Sequence, residues 1–257
     1  MAFDKSAAKT LVLPLGTALL ALICWTLVCS LRVFTSAVFP SPAEVLAGFR
    51  EEASTGRLLA DLIASLYRVA LGVVLGAMAA IPLGLWLGHH GRARAALMPA
   101  VNFFRGLSPL AWIPFAILWF GIGDASVVFL IFMPAFFTLT LATAAAVANI
   151  PAVYLRVARD YGITRTALLR LVIFPAALPQ IITALRLTAG VAWMVVVAAE
   201  MVSGRDGLGF AVWDARNGQR VDLLVCNMIV IGAIGVMLDR LLQRLTGLRS
   251  VRWGYER

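Results

Sequence analysis

The sequence predicts an all-α integral membrane protein with six transmembrane helices, and three observations carry that prediction. Of 257 residues, 61% are hydrophobic and 14% charged, against about 45–50% and about 25% in a soluble domain. Six stretches approach the roughly 20 mostly apolar residues needed to cross a bilayer: 11–31, 62–88, 99–122, 125–148, 180–202 and 223–243. The charges are also sorted by side. Segments 1–10, 89–98, 149–179 and the tail from 239 hold thirteen Lys and Arg, whereas 32–61, 123–124 and 203–222 hold six. Cytoplasmic loops carry the Lys/Arg excess, so both termini are expected in the cytoplasm. The net charge of +9 is then a topology signal and not a nucleic-acid footprint. Disorder is excluded because it requires low hydrophobicity.

The first span follows Lys5 and Lys9. Its uncharged run is longer than the roughly 7–15 apolar residues of a cleaved signal peptide, and no small-residue cleavage site follows. It is therefore expected to be retained. Next, Ser41 is placed to cap a helix, with Pro42 at the first helical position and Glu44 at the third. That is a capping box with proline where its missing N–H costs nothing. A short amphipathic helix is expected there, with Val45, Leu46 and Phe49 on one face and Gly56 near its end. The second span carries Gly72, Gly76, Gly84 and Gly88, a small-xxx-small pattern that lets another helix approach closely. The third contains Pro109 and Pro114, tolerated where neighbours satisfy the freed backbone groups. Arg105 lies near its expected inner end. The fifth carries Arg186, near its inner end, and Glu200, fourteen residues and about 21 Å further along. The expected organisation is a cytoplasmic N-terminus (1–10), a first span with an outer helix (11–61), a core (62–245) and a cytoplasmic tail (246–257).

Several chemistries are missing. A phosphate-binding loop needs G-x-x-x-x-G-K-[ST], but the only lysines are Lys5 and Lys9. If ATP is used, another subunit hydrolyses it. The two histidines, His89 and His90, are adjacent and so point about 100° apart on a helix. They cannot form an i, i+4 ligand pair for zinc or haem. Cys24, Cys29 and Cys226 lie in apolar stretches with no C-x-x-C pair, which argues against a disulfide framework. An ion-coupled secondary transporter would usually show a repeated half, and none is evident.

The longest inner connection is 149–179. Two short helices are expected there, separated at Gly162. Val153, Tyr154, Val157, Ala158 and Tyr161 recur at helical spacing in the first, with Arg156, Arg159 and Asp160 opposite. Thr164 and Arg165 open the second. Such a segment either lies in the headgroups or docks in a groove of a partner protein.

This loop resembles the "EAA" loop of binding-protein-dependent ABC importer permeases, through Arg156-Val157-Ala158, Gly162 and Val172-Ile173-Phe174-Pro175. FPSPAEVL (39–46), LSPLAWIPFAILWFGIGD (107–124) and AAEMVSGRDGLGF (198–210) are similar to segments of the taurine, aliphatic sulfonate and nitrate permeases. One departure is that Arg156 stands where the family usually has Glu. The resemblance implies a type I ABC importer permease (MetI-like) fold with no catalysis and no cofactor of its own. ATP and Mg would be bound by two partner ATPase subunits. A second permease copy, forming a homodimer, and an extracytoplasmic substrate-binding protein would complete a transporter in the bacterial inner membrane. Residues 154, 156–162, 164 and 165 would then be the ATPase-coupling set: Tyr154, Arg156, Val157, Ala158, Arg159, Asp160, Tyr161, Gly162, Thr164 and Arg165. The substrate implied is a small anion of sulfonate, taurine or nitrate type, with bicarbonate or another small solute as the alternative. Intramembrane charges are functional candidates, and cationic positions suit an anion. The candidate path residues are Arg105, Arg186, Trp193 and Glu200.

Overall fold

The structure, a computed structural model, describes residues 5–31, 35 and 37–246. It divides into two compact units.

The smaller unit holds residues up to Ala60 together with Ala211–Val230. It contains α1 (Lys5–Ser30), α2 (Pro42–Thr55), most of α10 (Leu208–Asn217) and the first turns of α11 (Val221–Thr246). Helix α2 starts where its capping box requires. Ser41 N–H donates to Glu44 Oε2 at 2.7 Å, and Glu44 N–H donates to Ser41 Oγ at 3.3 Å. It stops at Gly56, whose φ of 76° is the left-handed conformation favoured by glycine. Ion pairs tie it to the later segment. Arg220 donates to Glu51 at 2.7 Å and Asp222 at 2.8 Å, and its hydrogen bond holds the Glu51 carboxyl below the usual carboxylate range. Arg57 pairs with Asp214 at 2.5 Å.

The larger unit, Asp61–Phe210 with residues from Ile231 on, is built around α6 (Asp124–Ala148), with α3 (Arg57–His89) and α9 (Phe174–Ser203) against it. The close approach of α3 and α6 follows from a four-residue repeat. Gly72, Gly76, Ala80, Gly84 and Gly88 face Ile131, Ala135, Leu139, Thr143 and Val147. A Cβ at Gly72, Gly76, Gly84 or Gly88 would lie 2.5–2.8 Å from α6 side chains. This i±4 ridge is the packing expected when small residues let backbones meet. A layer of Leu85, Ala146, Val147, Ile173, Ala177 and Ile181 closes the core at one end.

The expected third span, 99–122, is not one continuous helix. It is α4 (Gly91–Gly106), then a 3-10 turn Pro109–Trp112 running into α5 (Ile113–Phe120), and the two parts meet at 89°. Ser108 Oγ accepts from Leu110 N–H at 3.3 Å, and Pro109 takes the first position of the new turn. A side-chain cap and a proline restart the backbone there, so the break is written into residues 106–109. Four helices of the described residues are long and apolar enough to cross a membrane, and the bent pair makes a fifth. The apolar stretch Gly16–Ser30 of α1 is shorter than these, so the expected six become four or five among the described residues. Residues 1–4 and 247–257, within the expected cytoplasmic ends, lie outside the described residues.

Between α6 and α9 come α7 (Ala152–Asp160), α8 (Arg165–Leu168) and a π-helical turn Leu169–Ile173 that runs directly into α9.

The α3–α6 ridge makes a testable demand. Gly84→Val should cost about 1–3 kcal/mol by overpacking and lower the Tm of the solubilised protein. Gly91→Ala, where nothing lies within 4 Å of the added Cβ, should leave Tm unchanged. Equal Tm values for the two variants would contradict the packing described.

Candidate coupling face and intramembrane charges

Helix α7 is held at few points and exposed elsewhere. Ala158 is buried, and Leu155 packs on the Leu85–Ile181 core layer. The apolar residues expected to recur along one face are mostly outside: Val153, Tyr154 and Val157 are exposed, and Tyr161 is 81% exposed. Arg156, Arg159 and Asp160 are exposed as well. The periodicity therefore marks an outward apolar face and not a core face, with Ala158 the exception. The helix ends in a Schellman motif: Gly162 N–H donates to Arg159 O at 2.9 Å and Ile163 N–H to Ala158 O at 2.8 Å. Gly162 has φ of 69°, which a side chain rarely adopts. The carbonyl of Thr164 accepts from Leu168 N–H at 3.4 Å. The backbone of Arg165 opens α8, and its side chain lies outside what the structure describes.

Glu200 is fully buried and belongs to a network centred on Arg68. Arg68 Nη1 donates to Glu200 Oε1 at 2.8 Å and to the Asp206 carbonyl at 2.8 Å. Its Nε donates to Asp124 Oδ1 at 2.7 Å, and its Nη2 pairs with the Asp206 carboxylate. Three successive backbone N–H groups at the start of α10 are also answered. Gly207 donates to Asp61 at 2.8 Å, Leu208 to Ser65 Oγ at 2.9 Å and Gly209 to Glu200 at 3.0 Å. Ser65 Oγ in turn donates to Glu200 at 2.9 Å. Gly207, at φ 103°, leaves room for the Glu200 carboxylate, which an added Cβ would meet at 2.5 Å. One arginine thus joins α3, the first residue of α6, and the α9–α10 turn.

The other path candidates are scattered. Arg186 grips Asp239 of α11 through two bonds of 3.0 Å. Trp193 is buried, and its Nε1–H donates to the Ile231 carbonyl at 3.1 Å. Arg105 is exposed and makes no hydrogen bond or ion pair among the described residues. It is the penultimate residue of α4, at the break in the bent pair. Its neighbour Phe104 stacks on Phe137 with ring centroids 5.4 Å apart. Phe137 lies about 20 Å from one end of α6 and about 17 Å from the other.

Sequence reasoning singled out Glu200 but not its partners. The signal was present: Asp61, Ser65 and Arg68 fall at i, i+4 and i+7, one polar stripe on an apolar helix. Arg68→Met leaves Glu200 buried and uncompensated, which costs about 3–5 kcal/mol. Thermal unfolding should show a large loss for Arg68→Met and partial recovery in Arg68→Met/Glu200→Met. No recovery would mean that the pair is not the source of the loss.

The family model of the binding-protein-dependent transport system inner membrane component matches residues 72–247. The taurine transport system permease protein TauC of Escherichia coli is 33% identical over 249 residues, covering 92% of this chain and 89% of its own length. The bicarbonate transport system permease protein CmpB of Synechococcus elongatus is 40% identical over 179 residues, covering 69% of this chain and 64% of its own. Among solved structures, the MetNI methionine ABC transporter in inward-facing conformations contains a similar fold. The TM-score is 0.67 at 18% identity, over 76% of this chain and 96% of that one. With its MetI-like helical core and its sequence kinship to such permeases, the chain belongs to the transmembrane permease subunits of binding-protein-dependent ABC importers, which work with separate ATPase subunits and substrate-binding proteins.

Proposed function

We propose that this chain is one of two identical permease subunits that import a small oxyanion across a bacterial inner membrane. Two ATPase subunits stand on the cytoplasmic side and a substrate-binding protein on the outer side. Both termini and the α7–α8 loop are cytoplasmic, in keeping with the thirteen-to-six bias of basic residues between the two sets of connections. The relatives named for taurine and for bicarbonate support a small oxyanion as the class, as does the resemblance to nitrate permeases; sulfonate, nitrate and bicarbonate are its members.

The observation that carries the coupling role is the exposed α7 face. Val153, Tyr154, Val157 and Tyr161 present apolar and aromatic surface on a helix whose Leu155 packs against the core, the form taken by a helix that seats in a partner's groove. Tyrosines are favoured anchors at such contacts. Arg156, in place of the family's usual Glu, meets a surface of different charge on the ATPase. ATP-driven closure of the ATPases would move α7 and pass that motion through the Gly162 corner to α8 and α9, since the chain from Thr166 to Val202 is one helical run. The outward-open and inward-open states would be populated by differential binding of ATP and of the loaded binding protein.

Gly162→Pro tests this. Proline fixes φ near −65°, against the observed 69°, so the α7–α8 corner cannot form. Uptake and substrate-stimulated ATP hydrolysis should both be lost while the chain still inserts in the membrane. Tyr161→Ala should weaken ATPase association by about 30-fold, a loss of about 2 kcal/mol at an anchor. Normal coupling in both variants would sink the docking role.

A further inference from the structure

Three arginines lie within the stretches expected to cross the membrane: Arg68 in 62–88, Arg105 in 99–122 and Arg186 in 180–202. Arg68 and Arg186 are answered by carboxylates, whereas Arg105 has no partner among the described residues. The Phe104–Phe137 stack sets Arg105 beside the middle of α6, where an arginine facing lipid costs about 2.5–3.5 kcal/mol or more. Asn102, one turn earlier on the same face of α4, is likewise exposed and makes no hydrogen bond among the described residues. One residue after Arg105 the helix ends at Gly106, and Leu107 and Ser108, both exposed, leave the helix at the 89° bend. Irregular backbone at membrane depth persists only where protein covers it or water reaches it. An unpaired guanidinium, an unpaired amide and an interrupted helix therefore share one facet at one depth, and each requires a polar surrounding.

We propose that the Asn102–Arg105 facet lines a water-filled passage, and that Arg105 contacts the translocated oxyanion there. The inference rests on the anion-importer reading above and selects one of its four path candidates. A planar guanidinium suits this role, since it offers paired N–H donors to two oxygens of a sulfonate, nitrate or bicarbonate. Arg186 and Arg68 already spend those donors on carboxylates. The competing occupant is a carboxylate of the second permease copy, which would pair with Arg105 and exclude water.

The test is made on the assembled transporter in membranes, with Cys24, Cys29 and Cys226 replaced by alanine and Asn102→Cys introduced. Two water-soluble methanethiosulfonates are compared, the anionic ethylsulfonate and the cationic ethyltrimethylammonium, each rate divided by that for a free thiol. A passage with Arg105 free should favour the anionic reagent by about tenfold or more, as a focused positive potential does. Adding Arg105→Gln should bring the ratio close to one while both reagents still react. Absence of labelling, or a ratio that Arg105→Gln does not change, overturns the proposal and points to the second copy as occupant. Uptake of radiolabelled taurine, nitrate and bicarbonate into proteoliposomes forms a separate arm. If the unaltered transporter takes up none of them, the anion-importer reading fails, while the labelling ratio still decides whether the facet is wet. If it takes one up, Arg105→Gln should reduce that uptake at least tenfold, and unchanged uptake overturns the role of Arg105.

Discussion

Hydrocarbon offers no water to complete an unfinished hydrogen bond, so charges and interrupted backbone within the membrane must be answered by the protein. Arg68 is where this constraint is met most fully. It holds Glu200, Asp124 and Asp206, and the carboxylates and hydroxyl around it take up the three amides at the start of α10. Three chain segments that are distant in sequence are thereby fixed to a single side chain. The same accounting separates the remaining intramembrane arginines, since a charge without an internal answer needs one from outside the chain.

Where charge is absent, shape takes over. Lipid tails are as apolar as leucine, so helices associate by close packing and not by a hydrophobic drive. The α3–α6 ridge, with a small residue every fourth position from Gly72 to Gly88, brings two backbones into contact along most of their length. Bulkier α6 residues such as Ile131 and Val147 fill the grooves left by the missing side chains. Polar clamp and apolar ridge thus act on the same helix, the clamp near one end and the ridge along the rest.

Much of this was legible in the sequence, for physical reasons. The capping box at Ser41–Glu44 and the corner at Gly162 are local, set by residues within one turn, and they appear where expected. The glycine spacing of α3 named a contact surface but not its partner, because partner choice depends on tertiary packing. The third span departs from its expectation: Pro109 alone reads as a tolerated proline, but Gly106, Ser108 and Pro109 together spell a stop and a restart. Arg186 and Glu200 were visible as charges, but the carboxylate and guanidinium that hold them lie 53 and 132 residues away. Periodicity showed the apolar stripe of α7 but not what it meets, since such a stripe looks the same whether it faces lipid headgroups or another protein.

The π-helical turn Leu169–Ile173 sits where α8 runs into α9. A π turn takes up an extra residue relative to an α-helix, and one residue is about 100° of rotation. Everything before the turn is therefore out of phase with everything after it by more than a quarter revolution. The direction in which the α7–α8 arm points, viewed down the axis of α9, is set by that single inserted residue. The turn works as a fixed gearing between arm and shaft, established when the chain folds and carried unchanged through any motion of the rod as a whole.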